Sequence, residues 1–297
     1  MKIRVLIENK ETPFFISEHG LSLLIEQNNK KILFDTGSSS KFIDNAKKLR
    51  LDLSNINYLI LSHAHYDHTS GTISFIKEYN YDKNIYVGKG FMNNKYSLYD
   101  SYEYKGTPFE ISELKNLVYV DNELKIDEDF ILYSNFKENN SFEHIASNFF
   151  ILNKNYEKDY FIDEAVLTVN TDKGIVLIVG CSHVGICNII DEVIKRSNKK
   201  IRGIIGGFHL SKCNTDYVLE IIEKLKKYDL EFICPMHCTG YENLFRKEFK
   251  EKCKILEVGD LLDLEGIKKK YKTRSNKLLD EEYGKQTDRN YKDGDRN

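Results

Sequence analysis

No stretch of this 297-residue chain approaches the ~20 uninterrupted apolar residues that a membrane helix needs, so no membrane partner is expected. A dominant charge is missing too. Its 44 Lys and Arg nearly cancel 46 Asp and Glu, leaving a formal net charge of −2. Without a basic excess, nucleic acid and anionic surfaces are excluded as expected partners. The N-terminal half has no cysteine. The six present (Cys181, Cys187, Cys213, Cys234, Cys238, Cys253) lack the spacing of a disulfide-stapled domain, so a reduced, cytoplasmic protein is expected. Met1 to Glu8 alternates like a strand and has no apolar core with a cleavage site, unlike a signal peptide. Only three prolines occur, beside abundant Lys, Asn, Ile and Tyr, a bias of genome composition rather than of mechanism. The length suffices for one large or two small domains with a real core.

Against those absences stands one dense cluster, Ser62-His63-Ala64-His65-Tyr66-Asp67-His68, directly after the apolar run Tyr58-Leu59-Ile60-Leu61. Imidazole nitrogens and carboxylate oxygens bind zinc and related divalent ions. His63 and His65 are two apart, so extended backbone points both to one side, where they can close on one ion. Asp67 and His68 are adjacent and diverge, which suits a second ion nearby. Solvent-facing histidines in a polar loop are the bland alternative, and four ligand-type side chains in six positions weigh against it.

The rest of the chain reads as alternating strands and helices. Leu21 to Asp35 forms a hairpin around Gln27-Asn28-Asn29-Lys30, and a helical spacing follows from Ser38 to Leu49. A strand at 57–61 precedes the cluster, and helix signals resume from Ser70 to Tyr79. Residues 90–160 are irregular and rich in Tyr, Phe and Asn, with short strands expected at 117–120, 130–134 and 148–152. Such a stretch either covers substrate or packs loops onto a sheet. Beyond it, Val166–Val169 and Ile175–Val179 flank a turn as a hairpin. Strands then end in Gly180-Cys181-Ser182-His183, Gly206-Gly207-Phe208-His209 and Cys234-Pro235-Met236-His237-Cys238, with helices at 185–196 and 215–227 between them. Six of the eight histidines thus sit just past a strand, where open α/β folds gather active-site groups. Residues 265–297, with Lys268-Lys269-Lys270 and Asp280-Glu281-Glu282, read as a polar tail with a short helix around Lys277–Glu282.

A dinuclear site needs about three protein ligands per ion plus a shared water. His63, His65, Asp67 and His68 supply four; the remaining candidates are His183, Cys181, His237 and His209. Asp35 follows a strand and is expected to accept hydrogen bonds from a ligating histidine or from loop amides. Asp163 and Glu164 stand before the 166–169 strand and are within possible reach. His19 and His144 lack a strand-end context and are expected on the surface. The segments Gly180–Gly185 and Thr239-Gly240 open helices, whose free amides bind anions, phosphate above all. A small-molecule substrate, phosphorylated or carboxylated, would suit them.

Together, His63-x-His65-x-Asp67-His68 and the preceding Phe34-Asp35-Thr36-Gly37 resemble the metallo-β-lactamase superfamily, over roughly residues 1–264. Gly180-Cys181-Ser182-His183-x-Gly185-Ile186, Gly206-Gly207-Phe208-His209-Leu210 and His237-Cys238-Thr239-Gly240 are similar to one branch. That branch includes the archaeal 7,8-dihydropterin-6-yl-methyl-4-(β-D-ribofuranosyl)aminobenzene 5'-phosphate synthase. The resemblance implies an α/β fold (α+β by some schemes): a four-layer αββα sandwich of two similar halves. A 1–264 domain, followed by the 265–297 tail, would carry a dinuclear site at one edge between the sheets. By the same resemblance His63 and His65 ligate one ion, Asp67 and His68 the other, and His237 is the last ligand histidine. The two divalent ions would be zinc, with iron or manganese as alternatives. The bridging Asp of the family is absent, its place taken by Cys181 or His183. The family's third-motif His is replaced by Asp163-Glu164, so the first ion takes an oxygen ligand.

The leading functional expectation is metal-dependent hydrolysis of a small ester or phosphoester by a metal-bound hydroxide. Asp67 would ligate and orient that hydroxide, and His209 would serve the leaving group or the substrate anion. A transferase of the branch's synthase type is the alternative, with diphosphate displaced by carbon and the 90–160 tyrosines forming an aromatic slot. A non-catalytic metal or ligand sensor is the third. The superfamily also contains β-lactamases, thioesterases and nucleases, and fold alone does not choose among them.

Overall fold

Apolar residues along the longest strands alternate between two buried faces, which is why their sequences read as unbroken hydrophobic runs. In Tyr58–Leu61, Ile60 faces one core while Leu59 and Leu61 face another. In Gly174–Val179, Val176 and Ile178 oppose Leu177 and Val179 in the same way. A strand with two apolar faces requires a layer on each side. The computed structural model of the chain, which describes residues 1–265, supplies them.

One sheet has seven strands, in the order Leu261–Asp263, Lys2–Ile7, Ser22–Gln27, Lys30–Phe34, Tyr58–Leu61, Ile85–Gly88 and Leu117–Val120. A second has six: Phe232–Met236, Ile201–Gly207, Gly174–Val179, Val166–Thr171, Phe130–Tyr133 and Glu123–Lys125. They face each other across a core where Ile25, Ile32, Phe34 and Ile60 meet Leu167, Val176, Ile178 and Ile205. Helices Lys41–Lys48 and Thr72–Tyr79 cover the first sheet through Phe42, Ala46 and Phe75. Helices Ile186–Ser197, Thr215–Lys226 and Glu242–Phe249 cover the second through Ile189, Val193, Ile222 and Phe245. The result is the expected four-layer αββα sandwich. The strands expected at 117–120, 130–134 and 148–152 form at Leu117–Val120, Phe130–Tyr133 and Phe149–Leu152.

Within the aromatic stretch lies a small antiparallel sheet of Tyr156–Lys158, Phe149–Leu152, Asn94–Leu98 and Tyr102–Tyr104. Its exposed tyrosines pack on each other, Tyr102 stacking on Tyr156 at 3.6 Å. The polar tail and the helix expected around Lys277–Glu282 lie outside the described residues.

Three strands of the second sheet, Gly174–Val179, Ile201–Gly207 and Phe232–Met236, run parallel. Their carboxyl ends therefore emerge at one edge, as does that of Tyr58–Leu61 in its own parallel set. The chain turns sharply there. Asp35, Ser182, His209 and His237 all hold left-handed φ values, between 50° and 58°. Such backbone costs non-glycine residues about 1–2 kcal/mol each. At these four positions the backbone is bent where it places side chains at the edge.

Candidate metal centre

His65, Asp67, Cys181, His183, His209 and His237 line a pocket of about 560 Å³ at that edge, and the fully buried His63 and His68 rings pack against this group. The backbone turns bring them there, and hydrogen bonds aim them. Asp35 anchors the inner side. Its carboxylate accepts from the Ser62 amide (2.7 Å), the Ser62 hydroxyl (2.7 Å) and His68 Nδ1 (2.6 Å). Since Ser62 donates its only proton to Asp35, it must accept from His63 Nδ1, 2.9 Å away. Asn9 Oδ1, which already accepts from the Gly20 amide, accepts from His237 Nδ1 at 2.8 Å. Three imidazoles are thereby held with Nδ1 protonated and Nε2 free for the pocket. Gly180 makes the approach possible, since a Cβ there would sit 2.2 Å from the Ser62 hydroxyl.

The freed nitrogens crowd together. His63 Nε2 lies 3.2 Å from His65 Nδ1, and His68 Nε2 lies 3.2 Å from His237 Nε2 and 3.1 Å from the Cys181 sulfur. A tetrahedral ion with nitrogen arms of 2.0–2.1 Å spaces its ligands by about 3.3 Å. Buried His65 Nε2 and His183 Nε2 have no hydrogen-bond partner at all. Burial also pushes the His63, His65 and His183 imidazoles well below their ordinary range, into the neutral, ligating form. Orphaned nitrogens at this spacing fit divalent ions. Two histidine pairs share the Cys181 thiol: His63 with His183, and His68 with His237, each set within 4.8 Å. Cys181 is thus the donor common to both sets.

Asp67 closes the outer side. Its Oδ2 lies 3.2 Å from His237 Nε2 and 3.1 Å from His19 Nε2. Burial opposes its charge, but His68, His19 and His237 outweigh that and hold the carboxyl well below the usual range. His68 shows the converse: burial works against its charge, yet Asp35 and Asp67 raise it to about 9.

Three expectations change. His19 is half exposed but belongs to the site, because its ring reaches Asp67 and lies 5.0 Å from that of His237. Only the fold brings residue 19 there, and no local pattern announces it. Among the described residues, Asp163 and Glu164 belong to none of the donor groups drawn together within 4.8 Å. Asp163 accepts from the Ala64 amide and from buried Lys95, and Glu164 accepts from the His183 and Val184 amides. They grip the two ligand loops from behind. The helix at Ile186–Ser197 also offers no free anion site. The buried Glu143 carboxylate already takes the Cys187 and Asn188 amides at 3.0 and 2.8 Å. His144 is exposed, as expected, at the pocket rim. His209 lines the pocket, its ring 4.2 Å from that of His183.

A family model described as the metallo-beta-lactamase superfamily matches residues 18–147. An uncharacterized protein of Methanocaldococcus jannaschii is 35% identical over 247 residues, covering 82% of this chain and 92% of its own. The 7,8-dihydropterin-6-methyl-4-(beta-D-ribofuranosyl)-aminobenzene-5'-phosphate synthase of the same organism is 31% identical, covering 88% and 96%. A crystal structure of a metal-dependent hydrolase of the beta-lactamase superfamily is 32% identical with a TM-score of 0.77, covering 89% of this chain and 99% of that one. Among the described residues no helix is long and apolar enough to cross a membrane.

Proposed function

The chain belongs to the metallo-β-lactamase superfamily, and from that premise we propose that it is a metal-dependent hydrolase of a small ester or phosphoester. The observation that carries this reading is the convergence of orphaned imidazole nitrogens on one solvent-open pocket. His63, His65 and His183 would hold one divalent ion, and Asp67, His68 and His237 a second, with Cys181 between them. Ions so held polarise a substrate oxygen and lower the pKa of bound water toward neutrality. Zinc suits the nitrogen and sulfur donors best, with iron or manganese as alternatives. Asp35, Ser62 and Asn9 keep the ligating rings in one tautomer. Asp67 would orient the attacking water, and His209, which lines the pocket beside His183, would serve as proton donor to the leaving group. The test is turnover of an ester and phosphoester panel before and after chelation. Chelator-insensitive turnover would refute the reading.

A second reading has its own support. The pocket is walled by Tyr66, Tyr99, Phe149 and Tyr217, and the synthase relative's product, by its name, contains a pterin and an aminobenzene ring. Aromatic walls accept flat rings, so a synthase of that type remains the alternative. Formation of a coupled pterin–aminobenzene product, with no hydrolysis of the panel, would select it.

Metal affinity carries a pH signature. A proton on His68 Nε2 competes with the ion, and its pKa is raised to about 9. Apparent affinity should therefore climb about fiftyfold between pH 7 and 9 from this group alone, most steeply in the first unit. Competition with a chromophoric chelator measures it; a flat profile across that range contradicts it.

A further inference from the structure

A further group of donors shares Cys181 with the proposed ligand set and adds two side chains, Cys238 and His209, that this set does not use as ligands. The thiols of Cys181 and Cys238 and a ring nitrogen of His209 all lie within 4.8 Å of one another. Both cysteines are buried and free. His209 Nδ1 is buried and has no hydrogen-bond partner. The thiol of Cys238 sits where a side chain at position 207 would be, for a Cβ on Gly207 would fall 2.6 Å from that sulfur. Gly207, at the end of Ile201–Gly207, therefore makes room for this thiol. The His209 amide aims at the same sulfur, at 3.3 Å.

We propose that Cys181, Cys238 and His209 form a sulfur-rich metal site contiguous with the histidine site. Cys181 is the donor the two have in common. Two soft thiolates and one borderline imidazole nitrogen favour zinc, cobalt or cadmium over magnesium and calcium. Each thiol loses its proton to solvent as the ion binds, so the balance needs no oxidant. Ligand separations below 4.8 Å contract to those of a tetrahedral ion, with sulfur arms of about 2.3 Å, by small side-chain rotations. The proposal rests on the metal-centre reading above and adds to it a site with different chemistry.

The test uses the full chain, stripped of metal and titrated anaerobically with cobalt(II). The wild type should develop a thiolate-to-cobalt charge-transfer band. In C238S and C238A the band should fall by about half, as two thiolates become one. The ligand-field absorption of the histidine-bound ion should persist in both variants. An unchanged band in folded variants overturns the proposal, because the sulfur signal would then come from Cys181 alone. Should the variants fail to fold, X-ray absorption of the zinc-loaded wild type decides. Sulfur scatterers exceeding one per protein support the sulfur site, and one or none overturns it. Absence of any cobalt or zinc binding would instead sink the proposed function itself.

Discussion

His68→Ala should abolish metal-dependent turnover. His68 is fully buried and joins four partners: Asp35 at 2.6 Å, the Cys181 sulfur, His237 and Asp67. Its removal takes a donor from the proposed second ion and leaves Asp35 without its imidazole. Losing the charge stabilisation that an ion gives a transition state costs several kcal/mol. At ~4 kcal/mol, kcat/KM should drop about a thousandfold. Asp35→Asn, which keeps the ring but weakens its anchor, should cost only about 10–100-fold in activity or metal affinity. The measurements are kcat/KM on whichever panel substrate turns over, with metal content of each variant. If His68→Ala retains wild-type turnover and metal, this imidazole plays no part in the chemistry.

Lys95→Met should be the most destabilising single change away from the pocket. The Lys95 ammonium is buried between Asp159 (2.6 Å) and Asp163 (2.8 Å), over the Phe161 ring at 4.5 Å. Breaking a buried pair by removing one partner costs about 3–5 kcal/mol, since the remaining charge stays without compensation. Here two carboxylates would be stranded. The damage should reach the metal loops, because Asp163 also holds the Ala64 amide and Phe161 stacks on the His183 ring at 4.0 Å. Denaturant unfolding of the metal-free protein, wild type against variant, gives the number. A difference below about 1 kcal/mol would show that Lys95 is not the keystone of that network.

The chain announces much of this, and the reason is distance along the sequence. His63, His65, Asp67 and His68 are readable because four donors share one loop, and Asp35 because it follows a strand and precedes Gly37. His183, His209 and His237 are readable because each closes an apolar run. The sandwich was legible through the family resemblance that these motifs carry, and strands buried on both faces agree with it. Nothing local marks Lys95, an ordinary residue in an aromatic stretch, nor His19 and Asn9, which arrive at the site from a loop before the hairpin. Glu143 misleads for the same reason. A helix start looks like an anion site until a carboxylate from over forty residues upstream is found on its amides. Cys238 hides beside a histidine, and only the gap at Gly207 shows what its sulfur is placed to do.

The two sheets meet at the pocket edge, and the donors come from both: His63 to His68 leave the first sheet, while His183 and His237 leave the second. An ion gripped from both banks acts as a rivet. It joins segments more than a hundred residues apart without a covalent link, and unfolding must pull it out. At a hundredfold excess over its dissociation constant such an ion adds about 2.7 kcal/mol to the folded state. Metal supply would then govern how long the protein survives as well as how fast it works.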